Sequence, residues 1–247
     1  MATVLCLRWG DLYTSHDVNL LYSMVKNHTK IKDLRFVCLT NHPEGLMDGI
    51  EHFPIPKIPI PKSAPFQGWK KLTALINPLY NIKGKVLCLD LDVVIVDNID
   101  CFFEPDGDFY IIENWTQKGR GIGNSSVYRF NSGEQFDVLD AYTNDPEAAA
   151  RDFHNEQTFL SKHAKGLKYW DETWVKSFKH QCIPATPLNW FIEPKKPDGV
   201  KIIAFHGHPK PIHAVEGIWL NMLRRVLHKS WIKENYILDT SNVSTRK

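Results

Sequence analysis

Apolar positions along the chain follow two different spacings. Val4 to Trp9 is a short, largely apolar run that reads as a first strand. After a Gly10 turn, Val18, Leu21, Tyr22 and Val25 recur at helical intervals, which predicts a helix from about Asp17 to Lys26. Arg35 to Thr40 reads as the second strand. This β-α-β order implies a parallel sheet with a right-handed crossover, and it places Trp9 to Tyr13 at the carboxyl end of the first strand, the edge where open α/β sheets bind ligands. Pro54, Pro56, Pro59, Pro61 and Pro65 then exclude both helix and central strand, leaving an extended loop. A helix from about Trp69 to Leu79 is expected next, followed by a strand through Lys85 to Val96. Asp108 to Asn114 and Ser126 to Phe130 read as further strands, with Gly119, Gly121 and Gly123 loosening the loop between them. Beyond them the spacing predicts helices at about Gly133 to Tyr142, Asn155 to Lys162 and Gly217 to His228, and a strand at Val200 to Phe205. The last seven residues read as a frayed tail.

The run Lys85 to Val96 is apolar except for its first residue and Asp90 and Asp92. On a strand these two carboxylates share a side. Brought out of water together they repel, and each would be protonated unless a cation lies between them. Hard oxygen ligands favour Mg2+ or Mn2+, ions that keep positions open for water and phosphate.

The 247 residues, 43% hydrophobic, can bury a large core, and the expected organisation is one domain over 1–240 with 241–247 as the tail. A net charge of +2 is too balanced for a protein that wraps nucleic acid, although a small polyanion remains a possible ligand. Neither a membrane span nor a signal-type leader is legible, so the expectation is a soluble, cytoplasmic protein. Five cysteines without a Cys-x-x-Cys pair indicate neither a disulfide framework nor a zinc ribbon, and Cys6, Cys38 and Cys88 read as small hydrophobes within strands.

A second chemical segment is Ile203-Ala204-Phe205-His206-Gly207-His208-Pro209-Lys210-Pro211, where a strand end delivers a histidine and a lysine into a turn restrained by Gly and Pro. His206 is either a hydrogen-bonded turn residue or a ligand to the metal of the aspartates, and Lys210 can neutralise phosphate as a point charge. Lys70 and Lys71 open the helix before the acidic strand, where a lysine pair is usually solvated surface. Trp9 and Tyr13 are placed either to pack or to stack on a nucleobase. The glycines at 119–123 form neither a dinucleotide fingerprint nor a P-loop. The remaining histidines show no metal-ligand spacing.

An Asp-x-Asp ending a hydrophobic strand near residue 90, followed by a His-Gly-x-x-Lys-Pro-like element late in the chain, resembles the GT-A nucleotide-sugar glycosyltransferases, especially family 8. The resemblance implies a Rossmann-like α/β fold with a mostly parallel central sheet flanked by helices and a mixed carboxyl-terminal acceptor region, 1–115 forming the nucleotide-binding half and 116–240 the sugar and acceptor half. It implies Mn2+ (or Mg2+) held by Asp90, Asp92 and His206, with Lys210 touching the donor diphosphate. Lys71 matches a basic residue that contacts donor phosphate or sugar. Asn124 lies in Gly123-Asn124-Ser125-Ser126-Val127, which resembles an Asn-x-Gly-Val strand near the donor sugar, with Ser126 in place of glycine. Glu156 and Gln157 match an Asp-Gln-x-x-Leu element beside the sugar; read without the family, Asn155 and Glu156 are the cap and first turn of a helix. The implied reaction is transfer from a nucleotide diphosphate donor, a UDP-sugar, to a hydroxyl of a glycan or glycolipid, with retention. No nucleic acid partner is implied. Membrane contact would be at most peripheral, through the aromatic and basic stretch around Trp219, Leu223, Arg224, Arg225, Lys229 and Trp231, which otherwise packs on the sheet.

Two other readings remain. Leu89 to Val94 also fits the nucleophile strand of a haloacid dehalogenase-like Mg-dependent phosphatase, but the second half of the chain lacks the later paired-acid element that such enzymes need. A non-catalytic nucleotide-sugar binding protein would keep the metal site and lose turnover.

Overall fold

The computed structural model describes residues 1–63, 67–153, 155–221, 224–227 and 230–239; the expected tail, 241–247, lies outside them, as do Leu223 and Lys229. The chain opens with β1 (Ala2–Arg8), α1 (Ser15–Asn27), β2 (Arg35–Thr40) and β3 (Glu51–Phe53), followed by a 3-10 helix (Gln67–Leu75). It continues through β4 (Lys85–Leu89), β5 (Val93–Ile95), β6 (Phe109–Glu113) and β7 (Gly123–Asn131). Three helices follow, α2 (Phe136–Asn144), α3 (Pro146–Asp152) and α4 (Glu156–His163). Then come β8 (Leu167–Tyr169), β9 (Val175–Ser177), β10 (Ile202–Ala204), α5 (Pro211–Glu216), a hairpin of β11 (Ile218–Asn221) and β12 (Arg224–Val226), and α6 (Ser230–Asn235).

Seven strands form the central sheet in the order β3-β2-β1-β4-β7-β6-β8. β3, β2, β1 and β4 run parallel, β7 is antiparallel to both its neighbours, and β8 is parallel to β6. Alternate residues feed two cores. Val4, Cys6, Cys38 and Leu87 pack with α1 on one face, while Leu5, Val37, Leu39, Val86 and Cys88 pack with the 3-10 helix, α2 and α4 on the other. This two-sided burial is why β1 and β2 read as continuous apolar runs rather than alternating ones. Among the described residues no helix is long and apolar enough to cross a membrane.

Four expectations need correction. The strand foreseen over Lys85 to Val96 is broken: β4 stops at Leu89 in the central sheet, and β5 joins a separate three-stranded sheet with β10 and β9. Asp90 to Asp92 form the turn between the two sheets. The helix expected at Trp69 to Leu79 is a 3-10 helix that ends at Leu75, since Pro78 disfavours helical backbone at Asn77. Gly123 belongs to β7 rather than to the loop, and a Cβ there would come within 2.6 Å of Ile111 Cδ1, so only glycine fits. The helix expected at Gly217 to His228 is instead the β11-β12 hairpin, entered through Gly217 at φ +76°. That left-handed geometry ends α5, and the apolar positions beyond it suit period two as well as a helix.

The β2-β3 edge is fastened by Arg35, whose Nε and Nη2 donate to Glu51 Oε1 and Oε2 at 2.8 and 2.7 Å. This fork holds the Glu51 carboxyl below the ordinary carboxylate range. A depressed folded-state value stabilises the fold above the unfolded-state pKa, and that contribution disappears as pH falls through the folded value. Because the pair is partly exposed, Glu51→Gln is expected to cost no more than about 1 kcal/mol at neutral pH, or roughly 2–4 °C in Tm. The gap should close as pH falls below the carboxylate range; a gap of unchanged size in melts at pH 3 would assign it to packing.

Candidate active site

The 3-10 helix is pinned from beneath by Trp69, which is 1% exposed, stacks on Tyr142 of α2 at 5.0 Å and meets the edge of Phe159 of α4 at 5.9 Å. Leu72 and Leu75 are buried on the same side, so Lys71 is carried over the end of β4 rather than into solvent. Its Nζ lies 2.6 and 2.8 Å from the two carboxylate oxygens of Asp90. It also donates to Ser125 Oγ at 3.2 Å and lies 3.8 Å from Glu156 Oε1, while Ser125 Oγ donates to that same Glu156 oxygen at 3.0 Å. Burial opposes the Lys71 charge, but Asp90 and Glu156 outweigh it and hold the ammonium above its ordinary pKa. Burial pushes the Asp90 carboxyl up, against the pull of Lys71, and Asp92 adds repulsion.

Asp92 has its own cation. Its Oδ2 accepts from Lys210 Nζ at 2.9 Å and from the Tyr13 hydroxyl at 2.8 Å, and Lys210 donates to that hydroxyl at 2.6 Å. The Lys210 ammonium also sits over the Tyr13 ring, 5.0 Å from its centroid. Burial first, and the Asp92 charge second, raise the Tyr13 phenol and keep it a neutral donor. Main-chain bonds fix these partners: Phe205 N donates to Asp92 O at 2.9 Å where β10 runs beside β5, and Asp90 N donates to Ser126 O at 3.0 Å. Trp9, Tyr13, Lys71, Asp90, Asp92 and Glu156 line one cavity of about 330 Å3 at the carboxyl end of β1 and β4.

His206 is placed differently. Its Nε2 shares a 2.8 Å hydrogen bond with Ser177 Oγ, and its ring is stacked between Trp115 at 5.4 Å and His180 at 5.3 Å. Burial, then His180, lowers its pKa and favours neutral imidazole. Among the described residues no three His, Cys, Asp or Glu side chains are arranged to hold a metal. The two carboxylates do suit a hard cation, since each already accepts an ammonium at 2.6–2.9 Å on the wall of one cavity.

Asn124 donates through Nδ2 to Gln157 Oε1 at 3.4 Å, and its own Oδ1 accepts from Ser126 N at 3.0 Å. Asn155 caps α4, its side chain accepting from Thr158 N at 3.1 Å, which leaves Glu156 in the first turn and 4% exposed. The segment is thus the cap and first turn of a helix, and Glu156 of that turn lines the cavity. Ser125 and Tyr128, which join the site, carry no role in the sequence reading. A bulge in β7 opposite Ile111 and Ile112 shifts the alternation, so Ser125 reaches the side occupied by Tyr128. Cys88 also lines the cavity, but burial pushes its thiol up to about 12, which removes it as a nucleophile.

No protein-family model and no curated protein matches the chain. Solved structures do. The galactosyltransferase LgtC, determined in complex with donor and acceptor sugar analogs, aligns at TM-score 0.58 and 14% identity over 85% of this chain and 88% of its own. The glycosyltransferase GlyE of Streptococcus pneumoniae TIGR4 aligns at TM-score 0.58 and 16% identity over 97% of this chain and 62% of its own. The bifunctional glycosyltransferase WbbM aligns at TM-score 0.54 and 12% identity, over 85% of this chain and 46% of its own. With its largely parallel sheet, flanking helices and acidic turn at the strand ends, the chain has the GT-A-like fold of these glycosyltransferases.

Proposed function

We propose that the protein is a glycosyltransferase that moves a sugar from a UDP-linked donor to a hydroxyl of a glycan or glycolipid, with retention and with Mn2+ (or Mg2+) as cofactor. The observation that carries this reading is the pair of lysine-capped carboxylates, Asp90 and Asp92, on one cavity at the carboxyl edge of a glycosyltransferase fold. Residues 1–115 supply most of the nucleotide-binding half, and 116–240 the sugar and acceptor half.

In this reaction the bond between the anomeric carbon and the diphosphate oxygen would break with its electron pair on that oxygen, and the acceptor oxygen would bond to carbon as its proton passes to the departing diphosphate. Asp90 and Asp92 would hold the ion, joined by His206 if its imidazole gives up Ser177. When bound, the ion supplies Lewis-acid stabilisation of the leaving diphosphate. Lys71 on the cavity wall, and Lys210 behind it on Asp92, add positive charge where negative charge grows. Tyr13 orients Lys210, and Trp9 offers an aromatic face to the base. Glu156 and Gln157, at the start of α4, are the groups assigned to the sugar, with Asn124 steadying Gln157.

The test is a thermal-shift series with UDP, Mn2+ and both. Because a ligand that binds only the folded state raises Tm by mass action, the combination is expected to shift Tm by several degrees, more than the two separate shifts combined. A response to UDP that is indifferent to metal, or no response to any nucleotide diphosphate, would defeat the reading. Hydrolysis of a generic phosphatase substrate would favour the dehalogenase-like alternative instead.

A further inference from the structure

We propose that Lys71 and Lys210 are displaceable counterions: in the free protein they hold the cation positions on Asp90 and Asp92, and the divalent ion is taken up only together with the nucleotide diphosphate, whose oxygens receive the two ammoniums. This rests on the donor reading above and adds an order of binding to it. Each aspartate is capped by a different lysine from a different part of the chain, one from the 3-10 helix and one from the turn before α5. The charged groups are three carboxylates and two ammoniums, Lys71 against Asp90 and Glu156 and Lys210 against Asp92, which leaves one net negative formal charge.

The pairing of these charges decides which ligands the site admits. A divalent ion alone would make the cluster positive, with the ion facing two ammoniums at contact distance from the same carboxylates. UDP alone, carrying roughly three negative charges, would leave the cluster strongly negative. The two together bring a cation for the carboxylates and an anion for the displaced ammoniums, so every charge keeps an opposite partner, and an unpaired charge in a half-buried site is costly.

Both lysines also have somewhere to go. Lys71 keeps Ser125 Oγ at 3.2 Å and Glu156 at 3.8 Å when it leaves Asp90. Lys210 keeps the Tyr13 hydroxyl at 2.6 Å and the face of its ring when it leaves Asp92. Each displacement therefore exchanges one partner for another rather than stranding a charge.

The experiment is titration calorimetry with Mn2+, with and without UDP, on the wild-type protein and on Lys210→Met, whose side chain is the more exposed of the two lysines. Wild type is expected to bind Mn2+ at least about a hundredfold more weakly without UDP than with it. Lys210→Met should bind Mn2+ alone at least about tenfold more tightly than wild type, while binding UDP with Mn2+ less tightly. Lys71→Met, if it folds, should shift both affinities in the same directions. A wild-type protein that takes up Mn2+ equally well without nucleotide, or a Lys210→Met variant whose affinity for Mn2+ alone is unchanged or weaker, overturns the counterion role and leaves the donor reading standing. Absence of binding for every combination of UDP and Mn2+ overturns the donor reading and the counterion role with it.

Discussion

Asp92→Asn is expected to lower donor turnover by about 10²–10³-fold while leaving the fold in place. Asparagine keeps the shape of the side chain and can still accept from the Tyr13 hydroxyl, so the β5-β10 ladder and its main-chain bond to Phe205 have no reason to move. What is lost is the negative charge. Lys210, 2.9 Å away, would have no counterion, and the pair of acids proposed to hold the ion would be reduced to one. The measurement is release of UDP from a panel of UDP-sugars in the presence of Mn2+, with circular dichroism and melting temperature as fold controls. Turnover within a few-fold of wild type in a folded variant would rule out Asp92 as part of the diphosphate-binding machinery. Asp90→Asn should behave similarly in turnover, but with a larger effect on stability, because Lys71 is less exposed than Lys210.

The largest expected effect on the fold comes from Trp69→Ala. Trp69 is almost wholly buried between Tyr142 and Phe159, and removing so large a side chain from a packed core costs about 3–5 kcal/mol. For a chain of this length that is a fall in Tm of roughly 6–20 °C. The same substitution should weaken donor binding, because Trp69 braces the 3-10 helix that carries Lys71 and, through Phe159, the helix whose first turn holds Glu156 and Gln157. Trp69→Phe keeps much of the packing and should recover most of both losses. Melting curves and UDP titrations on the two variants check the link; a destabilised Trp69→Ala protein with unaltered donor affinity would show that the helix is held by something else.

The amino-terminal half was legible because its chemistry is local. Two apolar runs flanking an amphipathic helix specify β1, α1 and β2 to within two residues, and the pairing of β1 with β2 in parallel follows from the crossover. The cap at Asn155 was equally readable, since its side chain bonds within its own turn. Elements that depend on distant partners were not. β8 and β9 are three residues each and are strands only because β6 and β10 lie beside them. The break at Asp90 to Asp92 is invisible in hydropathy, because Val93 to Ile95 is as buried in the second sheet as β4 is in the first. For the site, residue types indicated the acids and both lysines, but not which lysine caps which acid. Ser125 was hidden by the bulge in β7, which no periodicity announces. The stacking of His206 between Trp115 and His180 depends on three segments that meet only in the folded chain.

The hydrogen bond from Phe205 N to Asp92 O ties the acidic turn to the segment bearing His206 and Lys210 by atoms that every non-proline residue possesses. Spacing between Asp92 and Lys210 is thus encoded in the ladder and not in the identities of the side chains along it. Substitution can rewrite the surrounding sequence freely, provided β5 and β10 remain strands, without altering the distance across which the two charged groups meet. Insertion or deletion between Ala204 and Lys210 has no such tolerance, so drift in this lineage should be poor in changes of length there.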